Sequence, residues 1–474
     1  MPLIRSGPPA SAGPLNLIPK VSKPDAVKLN RGDRLLAHPA RTVTVGFLLA
    51  VLVSTGLLML PLSSAGPGGS SFRVALFTAT SAVSVTGLAV VDTAEYWSTF
   101  GEALILAMIQ LGGLGIMTAT SLLGLVVARR LGLRSRLLVQ AETGALDLGT
   151  IRRLLFNVVR ISLLIEVVTW LALTLRLSLG YDEAFGRAVY LGLFHAVSAY
   201  NNGGLALWSD SLVRFGGDPW LLTPIVVAFL LGALGFPVLL ELLRGRTPNG
   251  WSVHTRLTLV TYGVLVLVGP AIVLFGEWNN ESSLGVHGSA AGRLVAGTFS
   301  GLVAGSAGFN VIDYGAVNPS TLLGTDLLMF IGGGSGGTAG GIKVGTVAVL
   351  ALAVISEIRG DTDVEAFGRR LTTTTLRQAL SVAMLAMTGI LVGTFLLLAT
   401  SPVSFDAGVF EVISAFSNSG LSTGITGQLP DPAQYLLTAL MFIGRVGPVT
   451  VATALALRQA RRLYRYPETR PLVG

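Results

Sequence analysis

Long apolar runs alternate in this chain with short amphiphilic segments and with polar, basic connections. The runs Thr42–Leu60, Leu104–Ala128 and Leu380–Ala399 each approach the roughly 20 apolar residues that cross a bilayer as a helix. The whole pattern predicts four units, each with a first spanning helix, a short segment, a glycine-closed turn and a second spanning helix. The first helices are predicted at 42–60, 154–178, 255–276 and 377–399, and the second at 101–128, 220–243, 321–357 and 432–457. The short segments 72–83, 184–199, 290–303 and 405–416 are too brief to span. They fit re-entrant half-helices, because irregular backbone persists at membrane depth only where protein or water satisfies it. The expected fold is an all-α polytopic membrane protein, with eight spanning helices and four re-entrant half-helices around a central pore. Its organisation reads as a tail (1–37), repeats at 38–130, 150–245, 252–360 and 370–460, and a second tail (461–474).

Composition narrows the class. Of 474 residues, 51% are hydrophobic and 12% charged, and the mean hydropathy is +0.70. A soluble domain carries about 25% charged residues, so the apolar runs are read as membrane spans. Residues 1–37 are basic and proline-dotted without a compact apolar core, which argues against a cleavable signal. The net charge of +8 is distributed by topology. Seven, six, three, four and five of the 33 basic residues gather in the amino-terminal tail to Arg41, in Arg129–Arg153, Arg244–Arg256, Arg359–Arg377 and Arg458–Arg470. Basic connections face the cytoplasm, so both termini are expected there and nucleic acid is not an expected partner; membrane lipid is. Cysteine is absent and the four histidines are scattered, which argues against a thiolate, zinc or haem site. No nucleophile, base and metal-ligand set converges in the apolar segments, where Glu166 is the main isolated acid, and an enzyme is not expected.

The turns carry the chemistry. One phrase recurs as Ser81-Ala82-Val83-Ser84-Val85-Thr86-Gly87-Leu88, as Ser198-Ala199-Tyr200-Asn201-Asn202-Gly203-Gly204-Leu205 and as Ser414-Ala415-Phe416-Ser417-Asn418-Ser419-Gly420-Leu421, with a looser copy in Val303-Ala304-Gly305-Ser306-Ala307-Gly308-Phe309. A dehydrated cation needs oxygens in place of water, and backbone carbonyls supply them without net charge. Glycine turns such a strand at the least steric cost. Gly87, Gly204, Gly308 and Gly420 are therefore expected at an ion filter, lined or buttressed by Ser84, Val85, Thr86, Asn201, Asn202, Gly203, Gly305, Ser306, Ala307, Ser417, Asn418 and Ser419. A second landmark follows in register: Gly112, Gly232, Gly332 and Gly444 stand 25, 28, 24 and 24 residues after the four glycines.

The third unit is interrupted by Gly332-Gly333-Gly334-Ser335-Gly336-Gly337-Thr338-Ala339-Gly340-Gly341, after which Ile342 and Lys343 lead into a new apolar run. Each glycine disfavours helix by about 1 kcal/mol against alanine, so the run predicts a flexible break, read as a gate beneath the filter. Ile342 separates glycine from lysine, which argues against a phosphate loop, and no strand–helix–strand unit supports a dinucleotide fingerprint. Arg445 replaces the small residue found at Gly113, Ala233 and Gly333. A charge at that depth must face water or a partner. Two roles stay open: a barrier to cations under the filter, and a structural partner for a carboxylate or for carbonyls of the glycine loop.

These phrases, the Gly332–Lys343 loop and Phe442-Ile-Gly-Arg-Val-Gly-Pro-Val-Thr450 resemble the Trk/Ktr/HKT superfamily of potassium transporters. The last two segments are most similar to the membrane subunit of bacterial Ktr systems, and the resemblance runs from about 42 to 457. It implies potassium as the transported ion, held at the filter; uptake across the bacterial cell membrane, often sodium-stimulated; and a homodimer with one pore per protomer. It further implies a separate cytosolic ring of nucleotide-binding (KtrA-like) regulatory subunits, with ATP or ADP bound on that partner only. The resemblance carries onto this chain the four filter glycines, the gating loop 332–341 and Arg445. Relatives with serine at the first glycine tend to conduct sodium, so Gly87 implies potassium. Relatives commonly read Arg-Thr-Ala-Gly-Phe at the third filter, where this chain has Gly305-Ser306-Ala307-Gly308-Phe309. Rival readings are a broken-helix secondary cation symporter, for which inverted repeats are expected, and a less selective sodium/potassium pore. The absence of a soluble segment large enough for a sensor independently suggests an external actuator for the gate.

Overall fold

The computed structural model describes residues 39–130, 148–245 and 247–457. The expected tails, 1–37 and 461–474, lie outside the described residues, as does part of the basic connection after Arg130. Helices follow one another in a long–short–long order. The first group is α1 (Pro39–Leu58), α2 (Phe72–Ser84) and α3 (Thr99–Arg130); the second is α4 (Leu148–Gly180), α5 (Phe185–Asn201), α6 (Pro219–Leu234) and α7 (Phe236–Leu243). The third comprises α8 (Val253–Glu277), α9 (Ala290–Val303), α10 (Pro319–Phe330) and α11 (Val344–Arg359), and the fourth α12 (Thr373–Thr400), α13 (Phe405–Ser417) and α14 (Asp431–Leu457). A two-residue hairpin, β1 (Glu365–Ala366) and β2 (Arg369–Arg370), joins α11 to α12, its turn supplied by Phe367 and Gly368 at positive φ.

Burial separates the two kinds of helix. Long helices present apolar side chains outward: Leu49 and Val53 on α1, Leu164 on α4, Phe275 on α8 and Phe395 on α12 are all exposed. In water such a surface would associate or aggregate; against lipid it is the required one. The short helices are interior. Phe77 of α2, Phe194 of α5, Phe299 of α9 and Phe410 of α13 are each buried. Their starts are set by local chemistry, since the hydroxyls of Ser71, Ser289 and Ser404 accept from the amides of Val74, Gly292 and Ala407, satisfying donors that a helix leaves unpaired.

Among the described residues, five helices are long and apolar enough to cross a membrane, and six if the pair α6 and α7 counts as one span. This corrects the expectation of a continuous helix over 220–243. α6 and α7 meet at 102°, because Gly235 takes φ 94° and Pro237 withholds an amide from the turn that would bridge the joint. The span over 321–357 is divided where its glycine run predicts, with α10 and α11 separated by residues 331–343.

Packing closes a ring. Each short helix lies against its own first helix, in the pairs α1–α2, α4–α5, α8–α9 and α12–α13. The later helix of each group also packs against a neighbouring group's short helix: α3 on α5, α6 on α9, α10 on α13 and α14 on α2. The last pair joins the end of the chain to its beginning, and the exits of all four short helices face a common centre.

Candidate functional site

Three of the four short helices end in the same way. Val85, Asn202 and Asn418 adopt left-handed conformations at φ 55°, 60° and 52°. Paired backbone bonds tie each exit: Thr86 N–H to Ser81 O at 2.8 Å, Gly203 N–H to Ser198 O at 2.6 Å and Ser419 N–H to Ser414 O at 2.9 Å. This cap reverses the chain and satisfies terminal carbonyls. α9 departs from it. Ala304 stays right-handed, and both Ser306 and Ala307 donate to Val303 O. Gly305 accordingly lines a separate small cavity beside Leu230, Tyr262 and Gly332 instead of joining the central turns.

Two residues past each cap (four past Ala304) the chains converge. Gly87, Gly204, Gly308 and Gly420 all have positive φ, between 66° and 101°. A methyl group added at Gly87 would lie 3.1 Å from Gly204 Cα; one at Gly204 would lie 2.6 Å from Gly308 Cα; one at Gly420 would lie 3.0 Å from both Gly308 Cα and Gly87 Cα. The four backbones therefore form a closed waist that admits no side chain. Above it opens a cavity of about 400 Å³ lined by all four glycines, with Asp92, Trp208, Asn310, Asp313 and Thr426 on its walls.

Side chains brace the waist from behind. Ser84 Oγ bonds Thr86 Oγ1 at 2.7 Å, and Asn418 Nδ2 donates to Thr86 Oγ1 at 2.8 Å and to Met441 O at 2.9 Å. Ser306 Oγ donates to Asn202 Oδ1 at 3.3 Å, and Ser419 Oγ to Ala304 O at 3.0 Å. Each turn is thus linked to a neighbour. Ala307 and Ser417 are buried in the same wall. Asn201 turns away, toward α3 and α4. The second glycine landmark explains the close fit: a methyl at Gly112, Gly232 or Gly444 would run into the carbonyl of Val83, Tyr200 or Phe416, equivalent positions two residues before the left-handed caps.

Segment 331–343 lies directly beneath. Its break in the helix is spanned by backbone hydrogen bonds to α6, to the joint after it and within the segment. Gly332 N–H donates to Ile342 O, Gly334 N–H to Ala233 O, Thr338 N–H to Gly232 O and Phe236 N–H to Gly336 O, at 2.8–3.2 Å. The bend at Gly235 makes this possible, freeing 232–236 to pair with the loop. Gly333, Gly337 and Gly341 are buried in the same packing, and Gly340 abuts Ser417 O. Ser335 alone of the run is exposed. Thr338 is the hub. Its hydroxyl receives the Asn202 amide at 2.6 Å and donates to Tyr200 O at 3.2 Å, and its carbonyl accepts from Arg445 Nη1 at 2.5 Å. Lys343 Nζ donates to Ala339 O at 2.6 Å and Gly340 O at 3.2 Å. Of the two roles open for Arg445, the carbonyl partnership is realised. Its Nε and Nη2 find no partner, and a small cavity of about 20 Å³ separates Arg445 and Lys343 from Ile116 and Thr120.

Sequence reasoning missed the joint at Gly235, although Gly-Phe-Pro was a readable signal, and it missed Glu411. That buried acid on α13 accepts from Ser422 Oγ at 2.5 Å, Thr426 Oγ1 at 2.8 Å and Thr423 N–H at 3.1 Å, clasping the strand that leaves Gly420. Nothing in the local pattern distinguishes it from a surface glutamate.

Fold and site together define a polytopic helical membrane protein whose centre is built from backbone turns. A family model described as "TrkH: Cation transport protein" matches residues 39–463, and the chain belongs to that family of membrane cation transporters, which are not enzymes. It is 36% identical over 436 residues to Ktr system potassium uptake protein B of Bacillus subtilis, covering 92% of this chain and 97% of the relative. The protein of the same name from Vibrio alginolyticus is 36% identical over 447 residues, with 93% and 96% covered. Potassium/sodium uptake protein NtpJ of Enterococcus hirae is 31% identical over 444 residues, with 92% and 97% covered. The crystal structure of the potassium transporter TrkH from Vibrio parahaemolyticus superposes with a TM-score of 0.66 at 19% identity, over 86% of this chain and 84% of that one, a likeness of fold.

Proposed function

We propose that this chain is the membrane subunit of a potassium uptake system, and that ions cross it between the four turns closed by Gly87, Gly204, Gly308 and Gly420. The observation that carries the reading is the waist itself, where four left-handed glycines from four separate segments meet at the floor of one cavity. Such a waist offers carbonyl oxygens and excludes side chains, which suits a cation that must exchange water for protein and then leave again. The four groups of helices act as four repeats of helix, pore helix, filter turn and helix. Segment 332–341, with Lys343 and Arg445, is the gate: it lies across the path under the second and fourth turns, its Thr338 hydroxyl holds Asn202 of the second turn, and its own carbonyls at Thr338 and Ala339 are held by Arg445 and Lys343. Opening the path requires those bonds to exchange.

Both termini lie in the cytoplasm in this reading, the chain pairs as a homodimer, and a cytosolic nucleotide-binding subunit moves the gate. The curated relatives named for Ktr systems support a partner of this kind. α11 is the natural lever, since it begins at the end of the gate segment and leads to the basic hairpin 365–370. The test is rubidium uptake into liposomes holding the full chain, with sodium and lithium as competitors, for the unaltered protein and Gly87→Ser. The serine side chain would meet Gly203 O and Gly204 Cα within about 3 Å, so potassium preference is expected to fall. Unchanged selectivity in a well-folded variant would remove the filter assignment.

A further inference from the structure

We propose that Glu166 is a positioning residue for the ion path: it holds the Asn201 side chain behind the second turn and thereby fixes the shape of that turn and its cation affinity. The inference rests on the reading of Gly204 and its neighbours as part of the ion path. Glu166 stands in the middle of α4, among Leu163, Leu164, Val167 and Val168, which are exposed on the lipid-facing side of that helix. Its own side chain is buried, with 5% of its surface exposed. An ionisable residue in such a segment is expensive to keep and marks a functional role more often than a structural one.

Its contacts are all to donors. Gln110 Nε2 on α3 donates to one carboxylate oxygen at 3.2 Å, and Asn201 Nδ2 at the end of α5 donates to the other at 3.2 Å. The Asn201 amide also donates to Gln110 Oε1 at 2.8 Å and Val197 O at 2.9 Å, so its two hydrogens serve three acceptors. Three side chains from three helices form a closed triangle. No lysine or arginine forms an ion pair with Glu166 among the described residues. Both carboxyl oxygens of Glu166 act as acceptors in the triangle. What the triangle fixes is passed to the path along the backbone, because Asn201 directly precedes Asn202, Gly203 and Gly204. Position is enforced from the other side: α3 approaches so closely at Gly113 that a methyl there would sit 2.7 Å from Asn201 Cγ.

The test uses the full chain in liposomes and reads both the half-saturating rubidium concentration and the maximal rate. Glu166→Gln keeps the volume but replaces one acceptor oxygen by an amide that faces donors. Its half-saturating concentration is expected to rise about tenfold, equivalent to about 1.4 kcal/mol, with the maximal rate within about twofold. The double variant Q110E/E166Q moves the carboxylate across the triangle and restores every donor–acceptor pairing. It is expected to return affinity to within about threefold of the unaltered protein. An E166Q protein with unchanged affinity, or one that loses only yield or maximal rate, overturns the proposal, as does a swap that fails to restore affinity. If Gly87→Ser leaves selectivity unchanged, the path assignment itself fails; if Gly87→Ser shifts selectivity while E166Q does nothing, only the role of Glu166 falls.

Discussion

Thr338→Val isolates the coupling between the segment under the waist and the second turn. Valine matches threonine in shape, so the substitution removes one hydroxyl and leaves the backbone bonds of residue 338 to Gly232 O and Arg445 Nη1 in place. The hydroxyl makes two bonds, accepting from Asn202 Nδ2 at 2.6 Å and donating to Tyr200 O at 3.2 Å. A buried hydrogen bond contributes about 0.5–1.5 kcal/mol net, and an orphaned partner costs about 1–3 kcal/mol. The Asn202 amide retains long alternatives at 3.4 Å, to Tyr200 O and Phe229 O, so it is not fully orphaned. The net loss is therefore expected at the lower end, about 1–2 kcal/mol, provided these bonds break on opening. One to two kcal/mol is a factor of about 5–30 in an equilibrium. Basal rubidium flux through the full chain in liposomes, without any partner subunit, is expected to rise by that factor, while Thr338→Ser, which keeps the hydroxyl, stays within about twofold of the unaltered protein. Equal fluxes in Thr338→Val and the unaltered protein, with both eluting as folded species, would mean that the hydroxyl bonds do not hold the closed state.

Two further outcomes follow from the same geometry. Arg445→Gln removes the charge and weakens the bond to Thr338 O; basal flux is expected to increase by about tenfold, on the scale of one charge-assisted hydrogen bond, and a flux that falls instead would assign Arg445 to holding the pore open. Gly232→Ala drives a methyl into Tyr200 O and is expected to destabilise by about 1–3 kcal/mol, the range for overpacking, read as a lowered Tm in detergent; a Tm within a degree of the parent would refute the close approach of α6 to the second turn.

The chain's own pattern located the elements well. The short helix expected at 290–303 is observed as Ala290–Val303, and 405–416 as Phe405–Ser417, because each begins at a capping serine and ends at a glycine-rich exit. Apolar run length likewise placed the long helices to within a few residues, except at the joint over 220–243. There, local propensity favoured continuity, and the bend at Gly235 is repaid only by hydrogen bonds to a segment a hundred residues later. The glycine run 332–341 shows the converse. Its composition allows many conformations, and a single one is selected by carbonyls of 232–233, by Asn202 and by Arg445, none of which is near it in sequence.

Sequence alone determined that four glycine-closed turns lie between apolar helices, because helix length, caps and positive-φ residues are short-range properties. Only the tertiary structure decided that those turns meet, that Asn201 faces α3 and α4 while Asn202 faces Thr338, and that Arg445 spends its guanidinium on a loop carbonyl. Neighbouring asparagines are identical as letters, and what separates them is which distant group fills the space beside each. That depends on how the ring of helices closes, a property of the whole chain that no local segment carries.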